Sequence, residues 1–234
     1  MQLWLCPLFA FLLGSIPFGL IIARAKGIDI RQHGSGNIGA TNVLRVIGKK
    51  YGISCLFLDA LKGFIPTVVA ISCIRFPEMQ NPMALDVLKP LAAEFQIHTA
   101  QFFQVCTGLC AILGHNFSPW VGFKGGKGVA TSAGVLIAMM PAAIIILVIV
   151  WVVVFAISRY VSLASIVAAA VLPLVTLWGS WFHGKIQNGT WNKALFVFTV
   201  LIAMMAIWKH RGNIARLRMG TENRFSRKPK SDHV

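Results

Sequence analysis

Acidic residues are scarce in this sequence, 7 Asp and Glu against 22 Lys and Arg, and charged residues of either sign make up only 12% of its 234 positions. Apolar side chains account for 56%, a composition outside the range of ordinary water-soluble domains and suited to a membrane solvent. The shortage of carboxylates argues against chemistry built on paired acids, since none of Asp29, Asp59 and Glu222 has a second acid beside it in the sequence. Metal-binding patterns are missing too. Cys6, Cys55, Cys73, Cys106 and Cys110 all fall in apolar stretches, with no C-x-x-C pair and no histidine at ligand spacing. They read as small hydrophobes embedded in lipid. A formal charge of +15 would suit a nucleic-acid binder, but the long apolar runs oppose that reading, so no nucleic-acid partner is expected. Anionic lipid and phosphorylated substrate are the better partners.

Apolar runs long enough to cross a hydrocarbon core of ~30 Å at ~1.5 Å per residue lie near 3–23, 53–75, 101–118, 129–157, 162–182 and 192–208. The first is not a secretory signal, since its cations, Arg24 and Lys26, follow it; it reads as a retained helix entering from outside. That orientation puts Arg24, Lys26, Arg31, Arg45, Lys49 and Lys50 in the cytoplasm and leaves 77–100 as an external loop. Six crossings would strand the basic tail, 209–234, on the wrong side. The run 129–157 is ~43 Å long as one helix and carries Pro141 near its middle, so it divides at Met140-Pro141 into two short helices. The expectation is an all-α, polytopic membrane protein forming a single domain over 1–234, with seven transmembrane helices, the N-terminus outside and the C-terminus cytoplasmic.

Three polar segments then share the cytoplasmic face. The stretch from His33 to Arg45 contains G-x-G-x-x-G, but it follows a membrane helix rather than a β-strand, which removes the dinucleotide reading. Its local chemistry survives: Gly34 and Gly36 bring backbone N–H groups near an anion, Ser35, Asn37, Thr41 and Asn42 add donors, and Arg45 offers a bidentate fork. The plain alternative is a glycine-rich interfacial turn. In the second segment, Lys124, Gly125, Gly126, Lys127 and Gly128 precede an apolar helix. It is not a Walker A loop, because Gly128 rather than Ser or Thr follows Lys127. A helix N-terminus there would add its partial positive charge to the lysines; simple positive-inside anchoring would not require the glycines. The third group combines Ser162 and Ser165, three residues apart on one helix face, with His210 and Asn213 at the start of the tail. Serines in membrane helices also tie back to their own backbone. Asp59 and Lys62, one turn apart in an apolar helix, read as a structural ion pair.

Taken together, Gly14-Ser15-Ile16-Pro17-Phe18-Gly19, the 34–45 segment, Asp59-x-x-Lys62-Gly63, the 114–131 segment, Ser162-Leu163-Ala164-Ser165 and His210-x-x-Asn213-Ile214-x-Arg216-Leu217 resemble the PlsY-type acyl-phosphate:glycerol-3-phosphate acyltransferases nearly end to end. The resemblance implies a seven-helix bacterial inner-membrane enzyme with a cytoplasmic active site. It implies acyl transfer from acyl-phosphate to the 1-hydroxyl of glycerol 3-phosphate, giving lysophosphatidic acid and inorganic phosphate, with no cofactor or metal. It also implies functional links to the enzyme that supplies acyl-phosphate and to the next acyltransferase, which uses lysophosphatidic acid. Carried over by position, the site is Ser35, Arg45, Lys127, Ser165, His210 and Asn213. No histidine here is followed by H-x-x-x-x-D spacing, the arrangement of acyltransferases that use thioesters. Either His210 or a substrate phosphate oxygen would accept the hydroxyl proton. The 77–100 segment and the extension Phe225–Val234 depart from the family pattern. A transporter of phosphate or organic phosphate is the alternative from another class, although the polar motifs gather at one face and no inverted repeat is visible.

Overall fold

The computed structural model describes residues 2–73 and 93–225. Most of the expected external loop and everything after Phe225 lie outside the described residues. Among the described residues every regular element is helical: α1 (Leu5–Ser15), α2 (Phe18–Arg24), α3 (Ala40–Val46), α4 (Lys49–Cys73), α5 (Ala93–Asn116), α6 (Val129–Met139), α7 (Pro141–Ser158), α8 (Val161–Phe182), α9 (Lys193–Lys209) and α10 (Arg211–Arg218). Five spans, the first made of α1 and α2 together, are long and apolar enough to cross a membrane, and α9 with α10, bent by 53°, makes a sixth. α5 starts at Ala93, so the last residues assigned by sequence to the external loop are helical.

Prolines set two of the breaks. Pro141 occupies the first turn of α7, where a missing N–H costs nothing, and the chain does divide at Met140. The halves are unequal, however: only α6, at 11 residues, is short, while the 18 residues of α7 reach ~27 Å. Pro17 splits the first apolar run, which sequence reading took as one helix, into α1 and α2. The carbonyls released there find donors from afar. Ser118 Oγ donates to Ser15 O at 2.6 Å and Lys62 Nζ to Ile16 O at 2.8 Å, while Trp120 Nε1 donates to Ser15 Oγ at 2.8 Å. A break inside hydrocarbon persists only when such partners satisfy it. Lys62 also pairs with Asp59 at 2.9 Å, both fully buried, as the i, i+3 spacing suggested.

Small residues let the helices approach backbone to backbone. A Cβ on Gly14 of α1 would fall 2.2 Å from the Ala111 carbonyl of α5, and one on Gly134 of α6 would fall 1.9 Å from the Ala60 carbonyl of α4. The main apolar core joins Ala10, Ile112, Val135, Leu147, Leu172 and Phe198 from α1, α5, α6, α7, α8 and α9. A second cluster, including Leu20, Ile30, Ile38, Val43 and Cys55, binds the first glycine-rich loop to α2 and α4. Cys55 is therefore core rather than lipid-facing. The outer surface is apolar: Ile145, Ile149, Val153 and Ile157 of α7 and Leu174 of α8 are all more than half or about half exposed. Bare surface of this kind calls for a hydrocarbon surrounding, not water.

Candidate active site

The first glycine-rich loop is organised by one buried side chain. Asn42 Oδ1 accepts the Ser35 N–H at 2.9 Å, and its Nδ2 lies within 3.3 Å of the carbonyls of Ile30, His33 and Asn37. Asn37 Oδ1 in turn accepts the Gly39 N–H at 2.8 Å and opens α3. The loop wraps so closely that a Cβ on Gly34, which has φ +61°, would meet Asn42 Oδ1 at 2.3 Å. The amide of Asn42, expected from sequence to face substrate phosphate, is thus wholly engaged within the loop. What the loop presents outward is Ser35, and from α3 Thr41 and Arg45.

The second loop is held by backbone instead. Gly126 N–H donates to the His115 carbonyl at 3.1 Å, across the end of α5. A Cβ on Gly125 would strike that carbonyl at 2.0 Å, and one on Gly126 would strike the His115 ring at 2.1 Å. Gly128, at φ +80°, turns the chain into α6. Lys209 Nζ donates to the Asn116 carbonyl at 2.6 Å and locks the same corner. This close seating aims Lys127 away from the loop, where Nζ donates to Asn213 Oδ1 at 2.5 Å.

Asn213 belongs to a network centred on Glu222. Glu222 Oε1 accepts from Asn213 Nδ2 at 2.7 Å and from Ser162 Oγ at 2.9 Å, and Oε2 accepts from Arg216 Nε at 2.7 Å. Burial works to raise the Glu222 carboxyl, but these bonds and the Arg216 charge outweigh it and hold the group below the usual carboxylate range. Burial pushes the Lys127 ammonium down to about 8; the Glu222 charge opposes the fall and the Arg216 and Arg45 charges add to it. His210, 2% exposed, sits at the bend between α9 and α10, its Nδ1 2.7 Å from the Ala206 carbonyl. A carbonyl only accepts, so Nδ1 carries the hydrogen and a neutral His210 has Nε2 left as an acceptor. Ser165 Oγ donates to the Val161 carbonyl at 2.8 Å and accepts from Trp151 Nε1 at 3.1 Å, the backbone tie typical of serine in a membrane helix.

All these groups meet at one cavity of about 410 Å³. Ser35, Asn37, Thr41, Asn42, Arg45, Lys127, Gly128, Ser165, His210 and Asn213 line it, as do Ser162 and Glu222. Gly34, Gly36, Lys124, Gly125 and Gly126 are not among its lining residues; the glycines shape the loops, and Lys124 is exposed. Beyond the polar end the cavity continues between apolar residues of α6 to α9, among them Leu147, Trp151, Leu172 and Ile202. Sequence reading did not assign Glu222 or Trp151 to the site. The signal for Glu222 was available: it is one of two acids in a tail otherwise crowded with cations. Trp151 sits in an unbroken apolar run and carried none. Among the described residues there is no cluster of three metal-ligating side chains.

Cations and hydroxyl donors at one end of a chamber, and an apolar slot at the other, define a helical, lipid-facing protein built to bind an anionic group beside an aliphatic chain. Sequence comparison makes this specific. A sequence model described as Glycerol-3-phosphate acyltransferase matches residues 4–220. Proteins named glycerol-3-phosphate acyltransferase from Geobacter sulfurreducens and Aquifex aeolicus are each 42% identical, over 92% and 93% of this chain and 94% and 96% of their own. Crystal structures of PlsY (YgiH), an integral membrane glycerol 3-phosphate acyltransferase, in its glycerol 3-phosphate and lysophosphatidic acid forms, superpose with TM-scores of 0.77 and 0.75. Each is 39% identical and covers 97% of this chain and 96% of its own. The chain belongs to the glycerol-3-phosphate acyltransferase family.

Proposed function

We propose that this protein transfers a fatty acyl group from acyl-phosphate to the 1-hydroxyl of glycerol 3-phosphate, releasing lysophosphatidic acid and inorganic phosphate. The observation that carries the reading is the cavity itself: Arg45 and Lys127 face a chamber that runs on into an apolar slot between α6 and α9. Acyl-phosphate is a mixed anhydride, already electrophilic, and both substrates carry phosphate. Arg45, Lys127 and the first-loop donors Ser35 and Thr41 hold the two phosphates, the slot takes the acyl chain from the membrane, and the reacting atoms meet between them.

In the reaction the 1-hydroxyl oxygen bonds to the acyl carbonyl carbon, and the carbon–oxygen bond to phosphate then breaks with its electron pair leaving on phosphate. Lys127 and Arg45 stabilise the charge gathering there, and no covalent enzyme intermediate is required. The hydroxyl proton goes to His210 Nε2 or to a phosphate oxygen of the donor. Asn213, bonded to both Lys127 and Glu222, keeps the lysine aimed inward, and Ser165 lines the same cavity. The chemistry uses no cofactor.

Crossing number and orientation belong to the same proposal. With α6 as a short seventh crossing, the N-terminus lies outside and the site opens to the cytoplasm of a bacterial inner membrane, functionally linked to the enzymes that make acyl-phosphate and consume lysophosphatidic acid. Reporter fusions at residue 90 and at the C-terminus test this, with the first expected outside and the second inside; same-side reporters would refute it. The activity is tested with purified protein given glycerol 3-phosphate and either palmitoyl-phosphate or palmitoyl-coenzyme A. Phosphate release and product from the first donor alone are expected, and product from coenzyme A thioester would overturn the donor assignment.

A further inference from the structure

Arg45 approaches the chamber from α3, a helix of only seven residues, and its long side chain has nothing on its own helix to fix it. The guanidinium is fixed from the other end of the chain. Arg45 Nη2 donates to the Asn223 carbonyl at 3.1 Å, and the guanidinium carbon stands 4.9 Å from the centre of the Phe225 ring, within the range of a favourable cation–π contact. Phe225 is itself anchored. Its N–H donates to the Arg159 carbonyl at 3.0 Å, at the turn between α7 and α8. Its ring meets Phe155 edge-on, with centroids 5.7 Å apart. The segment 219–225 therefore runs as a strap from α10, past Glu222 in the chamber wall, to the α7–α8 turn, with Arg45 caught beneath its end. Phe225 lies past residue 220, where the match to the family model stops.

We propose that Phe225 is a positioning residue for the reaction: its ring, pinned to the α7–α8 turn, holds the Arg45 guanidinium at the phosphate end of the chamber. The physical case is geometric. An arginine side chain on a short, partly exposed helix has considerable rotamer freedom, and the entropy of ordering it falls on substrate binding unless the free protein has already ordered it. One face of a fixed aromatic ring removes that freedom while leaving guanidinium N–H donors at the edge for an anion. The Asn223 carbonyl holds one of those donors in the free state. The strap is thus a brace that binds Arg45 through a flat ring, and its loss should weaken capture of phosphate more than the chemical step.

This inference rests on the acyl-transfer reading for its kinetic arm, and phosphate binding supplies an arm that does not. Full-length wild type, Phe225→Tyr, Phe225→Leu and Phe225→Ala are compared in detergent for kcat, for KM of each phosphate substrate and for thermal stabilisation by inorganic phosphate. Tyr retains the ring, whereas Leu keeps the apolar packing against Phe155 and loses the π face. The expected result is wild-type behaviour within about two-fold for Phe225→Tyr, against a rise of about three- to thirty-fold in KM of at least one phosphate substrate for Phe225→Leu and Phe225→Ala. Stabilisation by phosphate should weaken in the same two variants, and in an Arg45→Ala background Phe225→Leu should add nothing. Wild-type phosphate binding in Phe225→Leu would overturn the proposal, because packing alone would then suffice; equal losses in Phe225→Tyr and Phe225→Leu would overturn it too. If wild type turns over neither donor, the acyl-transfer reading fails while the phosphate comparison still judges Phe225.

Discussion

The two glycine-rich loops look alike in sequence and are held in opposite ways. In the first, a side chain does the holding: Asn42 binds Ser35 and reaches three carbonyls of its own loop, so the segment is nearly self-sufficient. In the second, no side chain of the loop binds the loop's own backbone; glycines seat that backbone directly on the end of α5, and Lys127 reaches out to Asn213. The difference teaches that the first loop closes around one of its own side chains, whereas Gly125 and Gly126 let the second approach a separate helix. It also separates what each loop delivers: Arg45 arrives at the end of a locally built turn and is finished by a distant strap, whereas Lys127 is aimed by tertiary contact alone.

The strongest way to sharpen that comparison is to remove the cation from the second loop. Lys127→Ala should lower turnover by about 10²- to 10³-fold, as loss of one transition-state donor does, with melting in detergent little changed; near-normal turnover would break the site assignment. Gly126→Ala tests the seating itself. The new methyl would strike the His115 ring, and a shift of Lys127 by about 1 Å should cost roughly 10²-fold in turnover; a silent substitution would show that the loop does not depend on close approach. Asn42→Ala attacks the first loop, leaving the Ser35 N–H and three carbonyls without their partner, so stability should fall by about 2 to 4 kcal/mol, read as a lower melting temperature. The two loops would prove equivalent if Gly126→Ala and Asn42→Ala lowered stability and turnover to the same extent.

A pH series separates Lys127 from permanently charged Arg45. With Lys127 held down to about 8 from an ordinary 10.5, the free protein loses that charge as pH rises from 7 to 9, and affinity for glycerol 3-phosphate should weaken over that interval. The stability of the free protein should move the other way. The unfolded chain binds the proton more tightly, so this group's cost to folding is present below about 8 and is relieved as pH rises towards 10.5. Glycerol 3-phosphate KM measured at pH 7 and 9 checks the first slope, which should vanish in Lys127→Ala. The smallest effect belongs to Lys124→Ala. Exposed and off the cavity wall, it should change KM by less than about three-fold, and a larger change would restore Lys124 to the phosphate site.

Much of this was legible in the chain because the signals are local. Apolar run length located the membrane helices, Pro141 located the break between α6 and α7, and the spacing of Asp59 and Lys62 announced their pair. The positions of Ser35, Arg45, Lys127, Ser165, His210 and Asn213 followed from motif strings, and they do line one cavity. What escaped was whatever depends on direction. Asn42 was expected to offer its amide to phosphate, and that amide is bound within its own loop although the residue lines the cavity; Lys124 was grouped with Lys127 and stands apart. Pro17 was overlooked because a break within an apolar run needs donors that only Lys62, Ser118 and Trp120, far along the chain, supply.

Composition and pattern by themselves determined that this chain is helical, lipid-facing and equipped with cationic, glycine-rich segments, since hydropathy, charge and backbone freedom are properties of residues in sequence. Tertiary structure alone decided which donors remain free for a ligand, that Glu222 joins Ser162 to Asn213, and that Phe225 lies over Arg45, 180 residues earlier in the numbering. Those facts depend on how separate helices pack, and a hydrogen bond or a ring contact has no sequence signature when its partners are brought together only by the fold.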